Sequence, residues 1–253
     1  MGVSMATARR WVERWERQQE RYALDREERF TVIADVVEHA TAGHSGRPLL
    51  LDLGCGPGSL AARLAARFPD AEIVAVDTDP VLLELGRTHH PYAARYVDTE
   101  IGAGDWDRAL GLDRPLDAAV STTALHYLSR PALLRTYRRL AALLRPGGVL
   151  VNGDHFPPAG PACAALTAHV GRRRAERSRT GGAEDWESWW SAAARDPELT
   201  DLFTERARRP PAPAARDTPR TVAHHTELLR AAGFREVTPV WQFGDSHVLA
   251  AVA

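Results

Sequence analysis

Short apolar runs alternate with amphipathic stretches between residues 48 and 155. The apolar runs are five or six residues long, which suits strands buried on both faces of a sheet. The stretches between them carry apolar residues at helical spacing. This order predicts a parallel, doubly wound α/β sheet. The predicted strands are 49–53, 72–77, 93–97, 116–121 and 148–152, and the predicted helices are 59–68, 80–89 and 131–144.

Further elements are predicted on both sides of this core. Residues 8–42 contain neither Gly nor Pro, and Trp11, Trp15 and Tyr22 follow one another at spacings of four and seven. This pattern predicts an N-terminal helix. Two apolar runs near the C-terminal end flank a Gly-Asp turn, which predicts a β-hairpin. The C-terminal elements are a helix at 221–232 and strands at 234–243 and 246–252.

One long segment, 156–220, interrupts the alternation of strands and helices. It contains a cluster of tryptophans and four prolines between positions 210 and 219. We therefore interpret it as an insertion into the core. The expected organisation is a helical cap at 1–45, a ligand-binding core at 46–155, the helical insertion at 156–220, and a C-terminal helix and hairpin at 221–253 that complete the core.

A glycine-rich turn follows the first predicted strand, in the order Asp52, Gly54, Gly56 and Gly58, and a helix begins directly after it. Free backbone N–H groups and the helix dipole at such a turn favour a negative charge or a polar ligand edge. An ordinary tight turn would need no partner, but the next strand ends in Asp77. A carboxylate there can bind both hydroxyls of a ribose. The pattern indicates a nucleoside-containing ligand.

The spacing of the glycines separates two kinds of nucleoside-binding loop. Counted from Gly54, the dinucleotide fingerprint needs glycine at position 59, where this chain has Ser59. Glycine falls at position 58 instead, and the pattern Asp-x-Gly-x-Gly-x-Gly resembles class I S-adenosylmethionine-dependent methyltransferases. The resemblance covers most of 46–155 and returns at the C-terminal helix and hairpin. It implies a Rossmann-like, doubly wound sheet of seven strands with an antiparallel last strand, and S-adenosyl-L-methionine as the cofactor.

The resemblance also assigns cofactor contacts. It implies that the loop lines the methionine part of the cofactor, that Asp52 lies near the ammonium group and that Asp77 holds the ribose. The segment that begins at Ser121 resembles the Leu-His-aromatic-Leu segment of small-molecule methyltransferases, including trans-aconitate-type enzymes, where backbone meets the ammonium group. The other residues expected at the cofactor are Gly54, Cys55, Gly56 and Gly58 in the loop and Thr78 along the adenosine.

The adenine contact is expected after the third strand. The family often places an acidic and an apolar residue there, and Glu100 and Ile101 fit that position. Two nearby glycines make the register ambiguous, so Asp98 or Asp105 is an alternative to Glu100. Each of these acidic residues could equally be a solvated loop charge.

Helices outside the core are expected to cover the site. In similar methyltransferases the N-terminal segment folds across the cofactor, so Tyr22 or Arg29 could cover its carboxylate, with surface salt bridging as the alternative. The insertion 156–220 is expected to be a mobile lid over the acceptor. Trp186 and Trp190 lie on one predicted helical face, where they either line the acceptor pocket or pack the inserted helices together.

Candidate general bases follow the fourth and fifth predicted strands. His126 comes just after the fourth strand, and Asp154 and His155 come just after the fifth. The carboxyl edge of a doubly wound sheet is where ligands bind, so the three residues converge on one region. A positioned base is needed only if the acceptor arrives protonated. The alternative for His126 and His155 is a packing or loop role.

Composition excludes several other functions. The chain has no lysine, which rules out a pyridoxal Schiff base, and its two cysteines cannot build a disulfide framework or a four-thiolate zinc site. The 33 acidic and 32 basic residues balance, and the aromatic motif that methyltransferases use on nucleobase amines does not occur, so a nucleic acid partner is disfavoured. Ser121 stands where a metal-binding aspartate would be needed, so no metal is expected.

The predicted function is methyl transfer from S-adenosylmethionine to an O or N atom of a small molecule. Two alternatives stay open, another S-adenosylmethionine chemistry such as intramolecular cyclisation, and a non-catalytic cofactor-binding protein. No apolar run approaches the roughly 20 residues that cross a bilayer, and no charged-then-apolar leader is recognisable. The expected location is the cytoplasm, with no membrane partner, and the sequence leaves the oligomeric state open.

Overall fold

The structure is a computed structural model that describes residues 2–43, 46–178, 184–209 and 220–253. Within these residues seven strands form one sheet in the order β3-β2-β1-β4-β5-β7-β6. The first five strands run parallel, and β7 is antiparallel to both of its neighbours. The strands are β1 (Leu49–Leu53), β2 (Glu72–Asp77), β3 (Arg95–Asp98), β4 (Leu116–Thr122), β5 (Leu144–His155), β6 (Glu236–Phe243) and β7 (Ser246–Val252). The predicted seven-stranded α/β sheet with an antiparallel last strand is confirmed.

Local sequence signals place the core helices. Asp79 caps α4 by accepting hydrogen bonds from the next backbone amides, and Pro80 occupies the first helical position. Ser129 caps α5 in the same way. Gly233, at φ 110°, ends α9. The core helices are α3 (Ser59–Arg67), α4 (Pro80–His89), α5 (Arg130–Leu143) and α9 (Val222–Ala232).

The N-terminal segment is helical, as expected, and it is divided into two helices, α1 (Met5–Glu20) and α2 (Arg26–Thr41). Their surroundings differ. The first helix packs on α4, whereas the second packs on β4 and β5 of the sheet. Because no Gly or Pro marks the break, tertiary packing rather than local sequence determines it.

The insertion divides into two parts with different neighbours. Its first helix, α6 (Pro161–Ser178), lies beside the β6–β7 turn, where the backbone of Thr167 approaches Gly244. The second part, α7 (Trp186–Ala193) and α8 (Thr200–Arg208), packs on α1 and α4. Residues 179–183 and the proline-rich stretch 210–219 lie outside the described residues. No helix in the described part of the chain combines the length and the apolar character of a membrane span.

Hydrophobic side chains form a layer on each face of the sheet and a third cluster away from it. One layer includes Tyr137 of α5 and Leu228 of α9, and the opposite layer includes Ile33 of α2 and Leu64 of α3. The third cluster joins α1, α4 and α7. We call this third group the cap cluster; its buried members are Val3, Ala8, Trp11, Val12, Trp15, Val81, Leu82, Leu85, Trp189, Ala193 and Leu199.

Candidate active site

The glycine loop between β1 and α3 is held in a left-handed backbone conformation. Gly54, Gly56 and Gly58 have φ values of 70°, 55° and 81°, which side-chain-bearing residues adopt only with strain. The amides of Gly54 and Cys55 donate to the Val76 carbonyl at 2.8 and 2.9 Å. These bonds anchor the loop to the carboxyl end of β2, so loop and strand form one rigid edge.

Two of the loop glycines are also required by close neighbours. A Cβ at Gly54 would overlap Cβ of Ala124, and a Cβ at Gly58 would overlap the hydroxyl of Tyr96. Gly56 has more room, since the nearest atom to a Cβ there would be in the Trp15 ring at 3.7 Å. The loop therefore packs tightly at its two ends, whereas a Cβ at its centre would make only ordinary contact with a tryptophan of α1.

Asp77 ends β2 and organises the loop. Its Oδ2 accepts from the Gly56 amide at 2.8 Å, and its Oδ1 accepts from the amides of Thr78 and Asp79 at 2.7 and 2.9 Å. Burial raises the pKa of this carboxyl, and the three amides oppose that rise. A carboxylate offers about four lone-pair sites, so Asp77 can accept at least one further hydrogen bond, such as one from a hydroxyl.

Asp52 lies beneath the loop rather than along its open side. It is 1% exposed, its Oδ2 accepts from the Ala61 amide at 3.1 Å, and its Oδ1 has no hydrogen-bond partner among the described residues. Burial raises the pKa of this carboxyl to about 7. This placement gives Asp52 a role in holding the start of α3, and it shows no direct opening toward an ammonium group.

The raised pKa of Asp52 predicts a specific dependence of stability on pH. A carboxyl that is harder to ionise in the folded state contributes stability below its unfolded pKa of 3.8, and this contribution is lost as the pH rises through about 7. We expect Asp52→Asn to remove this loss of stability with rising pH, because an amide side chain does not ionise. The melting temperature of the variant relative to wild type should therefore be higher at about pH 8 than at about pH 5. An equal difference at both values would contradict the assignment.

The expected adenine side of the site is exposed. Glu100 is exposed, whereas Ile101 is half-buried against the sheet core. Asp98 pairs with Arg209, whose Nη1 and Nη2 reach its carboxylate at 2.8 and 2.6 Å. Asp105 forms ion pairs with arginines on its own side of the sheet. Of the three acidic residues, only Glu100 has no ion pair among those the structure describes.

Two arginines, one in α8 and one directly after it, reach the same edge of the sheet. Arg209 donates to the carbonyl oxygen of Thr78, and Arg206 donates to Oδ2 of Asp79 at 2.6 Å. The Arg206 guanidinium also lies over the Trp190 ring, 4.0 Å from its centroid. The second part of the insertion is thus fastened to the ends of β2 and β3, next to Asp77.

The end of β4 is built around an unusual backbone position. Ser121 is fully buried and donates from Oγ to the Leu53 carbonyl at 2.9 Å, which ties β4 to β1. Thr123 has φ 50°, a strained value for a β-branched residue, and its amide donates to Gly153 at 2.9 Å. This turn brings Ala124 against the glycine loop and directs the chain toward His126.

Two of the three candidate bases are in direct contact, His126 after β4 and Asp154 near the end of β5. Nδ1 of His126 lies 3.0 and 2.9 Å from the two carboxylate oxygens of Asp154, which is 2% exposed. Asp154 also accepts from the His155 amide at 2.8 Å. His155 itself faces Asp245, with Nδ1 at 3.3 Å from Oδ1. The prediction that His126, Asp154 and His155 converge at one edge agrees with this geometry.

The residues that cover the loop differ from those expected. The Tyr22 hydroxyl accepts from the Trp186 amide at 3.1 Å, at the start of α7. Arg29 is fully buried between α2 and the sheet, where its Nη2 donates to Ser246 Oγ at 2.6 Å and its stem fits against Gly153. Trp15 lies over the loop instead. Its spacing from Trp11 indicated only a helix, and nothing local in the sequence singled it out as a site residue.

The tryptophans of α7 pack on Trp15. Trp186 and Trp190 lie with ring centroids 5.2 and 6.4 Å from it, and the fully buried Trp189 lies at 5.1 Å. Trp186 remains 39% exposed. The α7 rings therefore form one aromatic group with the residue above Gly56. Any acceptor contact from Trp186 or Trp190 would be made from this group.

Comparisons with known proteins agree with this architecture. Residues 50–148 match a family described as a methyltransferase domain. A 102-residue stretch is 41% identical to trans-aconitate 2-methyltransferase of Methylobacterium radiotolerans, covering 40% of this chain and 36% of that protein. The enzyme of the same name from Methylobacterium nodulans is 28% identical over 185 residues, 66% of this chain and 64% of that protein. The chain thus spans less than two thirds of these relatives' length.

A solved structure resembles the chain over a wider range. Human N-acetylserotonin methyltransferase in complex with S-adenosylmethionine superposes with a TM-score of 0.52 and 20% sequence identity. The superposition covers 94% of this chain and 56% of that one. At this identity the likeness establishes the fold and leaves the substrate open.

Proposed function

We propose that this chain, whose core belongs to the class I S-adenosylmethionine-dependent methyltransferases, transfers a methyl group from that cofactor to an O or N atom of a small molecule. The observation that carries the proposal is that the glycine loop contacts the turn after β4 at one edge of the sheet. The glycine loop packs through Gly54 on Ala124, two residues before His126. A group held by the loop would therefore lie beside the His126–Asp154 pair.

The residues present fit the cofactor. Gly56, where an added Cβ would make only ordinary contacts, would lie against the methionine part, and Asp77 retains hydrogen-bonding capacity for a ribose hydroxyl. Glu100 and Ile101 are available for the adenine amine and ring. Trp15 would cover the loop from α1. When bound, S-adenosylmethionine supplies an electrophilic methyl group on a positively charged sulfur.

The contribution of the chain is mainly to position the two reactants. A methyl transfer is an in-line displacement, and oriented proximity alone can contribute roughly 7–11 kcal/mol to such a reaction. The loop and β2 are linked by backbone hydrogen bonds, and β4 is fixed to β1 through Ser121. These links keep the loop that would hold the cofactor in a fixed position relative to the His126–Asp154 pair.

We assign the acceptor to the small molecules because the charge of the chain is balanced and the relatives include enzymes named for trans-aconitate. The acceptor would enter between the His126–Asp154 pair and the insertion 156–220. In this arrangement α7 and α8 act as the lid, with Trp186 and Trp190 toward the acceptor. A lid of this kind excludes water from the reacting groups.

Product analysis tests the proposed function directly. The protein would be incubated with S-adenosylmethionine labelled in its methyl group and with small acids, phenols and amines, and the products would be separated by mass spectrometry. We expect label in one acceptor and S-adenosylhomocysteine in equal amount. Loss of the cofactor without labelled acceptor would indicate other chemistry, and binding without turnover would indicate a non-catalytic protein.

Asp77 provides a test of the cofactor site that does not require the acceptor. We expect Asp77→Asn to weaken S-adenosylhomocysteine binding by about 1–3 kcal/mol, the usual loss when a hydrogen bond to a charged group is removed. The matched control is Asp70→Asn, an exposed aspartate in the turn before β2. Calorimetry on both folded variants measures the difference. Equal affinity in the two variants would remove Asp77 from the site.

A further inference from the structure

Arg209, directly after α8, connects the ends of two neighbouring strands. Its Nη1 and Nη2 donate to the two carboxylate oxygens of Asp98 at 2.8 and 2.6 Å, and Nη1 also donates to the carbonyl oxygen of Thr78. Asp98 ends β3 and is paired in register with Asp77, the last residue of β2. One guanidinium therefore joins the ends of β2 and β3, next to the carboxylate that is expected to hold the ribose.

Arg206 makes a second connection to the same edge. Its Nε donates to Oδ2 of Asp79 at 2.6 Å, and its guanidinium lies 4.0 Å from the centroid of the Trp190 ring. Asp79 caps α4 through its other oxygen, Oδ1. The Arg206 side chain thus links the aromatic residues of α7 to the turn that follows β2.

The apolar contacts of α8 are few. None of its side chains is buried, and it meets the cap cluster through the partly buried Leu202 and Phe203. The neighbouring helix α7 differs, because its Trp189 and Ala193 are buried members of that cluster. Segments with few buried apolar contacts open at a low cost in free energy. The charged contacts of the two arginines are therefore a major part of what holds α8 to the sheet.

Given the cofactor site of the proposed function, on which this step rests, we propose that Arg206 and Arg209 form a latch. The latch consists of their contacts with Thr78, Asp79 and Asp98. It holds α8, and the helices packed with it, closed over the adenosine end of the site. The cofactor enters and leaves when these contacts break, and the acceptor plays no part in this step.

The position of the latch determines which end of the cofactor it controls. Asp77, whose carboxylate can accept a further hydrogen bond from a ribose hydroxyl, lies one residue before Thr78. The opposite end of the site, at Gly56, is covered by Trp15, which is buried in the cap cluster. The ion pair at the adenosine end is partly exposed, with 25% of the Arg209 side chain accessible. Charged contacts that water can reach break and re-form more readily than a buried aromatic cluster.

A latch of this kind changes rates and leaves the affinity constant. Its contacts are made between protein groups alone, so they stabilise the closed state equally with and without the cofactor. An interaction that does not discriminate between the free and bound states cannot shift the binding equilibrium. Weakening the latch should therefore accelerate association and dissociation by the same factor. A residue that contacts the cofactor directly would instead change Kd, mainly through the dissociation rate.

The test measures both rate constants for S-adenosylhomocysteine. Stopped-flow tryptophan fluorescence gives the association rate, displacement of labelled ligand by an excess of unlabelled ligand gives the dissociation rate, and calorimetry gives Kd independently. The variants are Arg206→Gln, Arg209→Gln and the double variant, each checked by thermal melting. The matched control is Arg67→Gln, because Arg67 of α3 also pairs with two carboxylates, those of Asp35 and Glu38 in α2.

We expect each single variant to raise both rate constants roughly fivefold, the upper range for a solvent-exposed ion pair, and the double variant to raise them further. Kd should stay unchanged in all three. Salt screens exposed ion pairs, so raising the ionic strength from about 0.01 to about 0.15 M should accelerate exchange in the wild type more than in the double variant. Arg67→Gln should leave both rate constants at the wild-type values.

Two results would overturn the latch while leaving the proposed function in place. Unchanged rate constants in the double variant would show that cofactor exchange does not pass through these contacts. Faster dissociation without faster association would raise Kd and identify the arginines as direct cofactor contacts. Absence of S-adenosylhomocysteine binding to the wild type would instead overturn the proposed cofactor site, and with it both the proposed function and the latch.

Discussion

Gly54→Ala is expected to abolish cofactor binding because the new methyl group would occupy the position of Cβ of Ala124. Two costs add at this site. A side-chain-bearing residue at φ 70° is strained by roughly 1–2 kcal/mol, and forcing extra volume into a packed contact costs roughly 1–3 kcal/mol. The loop and the turn after β4 would have to separate. That separation would displace both halves of the site.

A second substitution should restore part of the loss. Removing Cβ from Ala124 leaves its Cα as the nearest atom, 3.7 Å from the new methyl group, which is an ordinary contact. We therefore expect Gly54→Ala with Ala124→Gly to regain cofactor affinity and melting temperature relative to Gly54→Ala alone, with the backbone strain remaining. A double-mutant cycle using calorimetry and thermal melts measures the coupling. Strictly additive effects would show that the loop and the β4 turn are not in contact.

The cofactor-binding half of the site could be predicted from the sequence because the signals for it are local. Three glycines, a capped helix and an acidic strand end lie within 30 residues, and each follows from backbone geometry that the sequence itself imposes. The contact between Gly54 and Ala124 joins segments 70 residues apart, and no local pattern predicts it. The expectation that His126 and Asp154 converge depended instead on the rule that parallel strands end at one edge.

Residues that act through tertiary packing were harder to predict. Arg29 belongs to a helix expected over the cofactor, yet Gly153 leaves room for its stem and Ser246 Oγ accepts a hydrogen bond from its guanidinium on the face of the sheet. Trp15 belongs to the neighbouring helix and lies over the loop because α1 turns away from α2 near residue 21. That turn has no Gly or Pro signal, so the sequence could not distinguish which aromatic residue would cover the cofactor.

The cap is a joint structure of α1, α7 and α8 rather than a property of the insertion alone. Glu198 accepts from the Ser4 amide at 2.7 Å and from Thr7 Oγ1 at 2.8 Å, and Asp196 accepts from Trp11 Nε1 at 2.7 Å. The cap cluster joins α1 and α7 to α4 from inside. Because these contacts join the N-terminal helix to the second part of the insertion, we expect the two to move as one body when the site opens.

Trp189→Ala tests whether the N-terminal helix and the second part of the insertion move together, because Trp189 is a buried member of the cap cluster. The Trp189 ring is fully buried against Trp11 and Trp15, at centroid distances of 5.5 and 5.1 Å, and truncating a buried tryptophan costs roughly 3–5 kcal/mol. We expect hydrogen exchange to accelerate together in α1, α7 and α8 while β1 and β4 stay protected. Dissociation of S-adenosylhomocysteine should become at least about tenfold faster, equivalent to about 1.4 kcal/mol, because Trp15 would no longer be held over Gly56.

The matched control is Trp241→Ala in β6, a half-buried tryptophan whose Nε1 donates to Glu28 at 3.0 Å, remote from the cap cluster. It should leave exchange in α1 and α7 unchanged. If Trp189→Ala accelerates exchange in α7 and α8 but not in α1, the N-terminal helix is anchored independently through α4. The lid would then be the insertion alone. Equal acceleration in cap and sheet would instead mean that the cap unfolds only with the whole domain, and that cofactor exchange requires no separate opening.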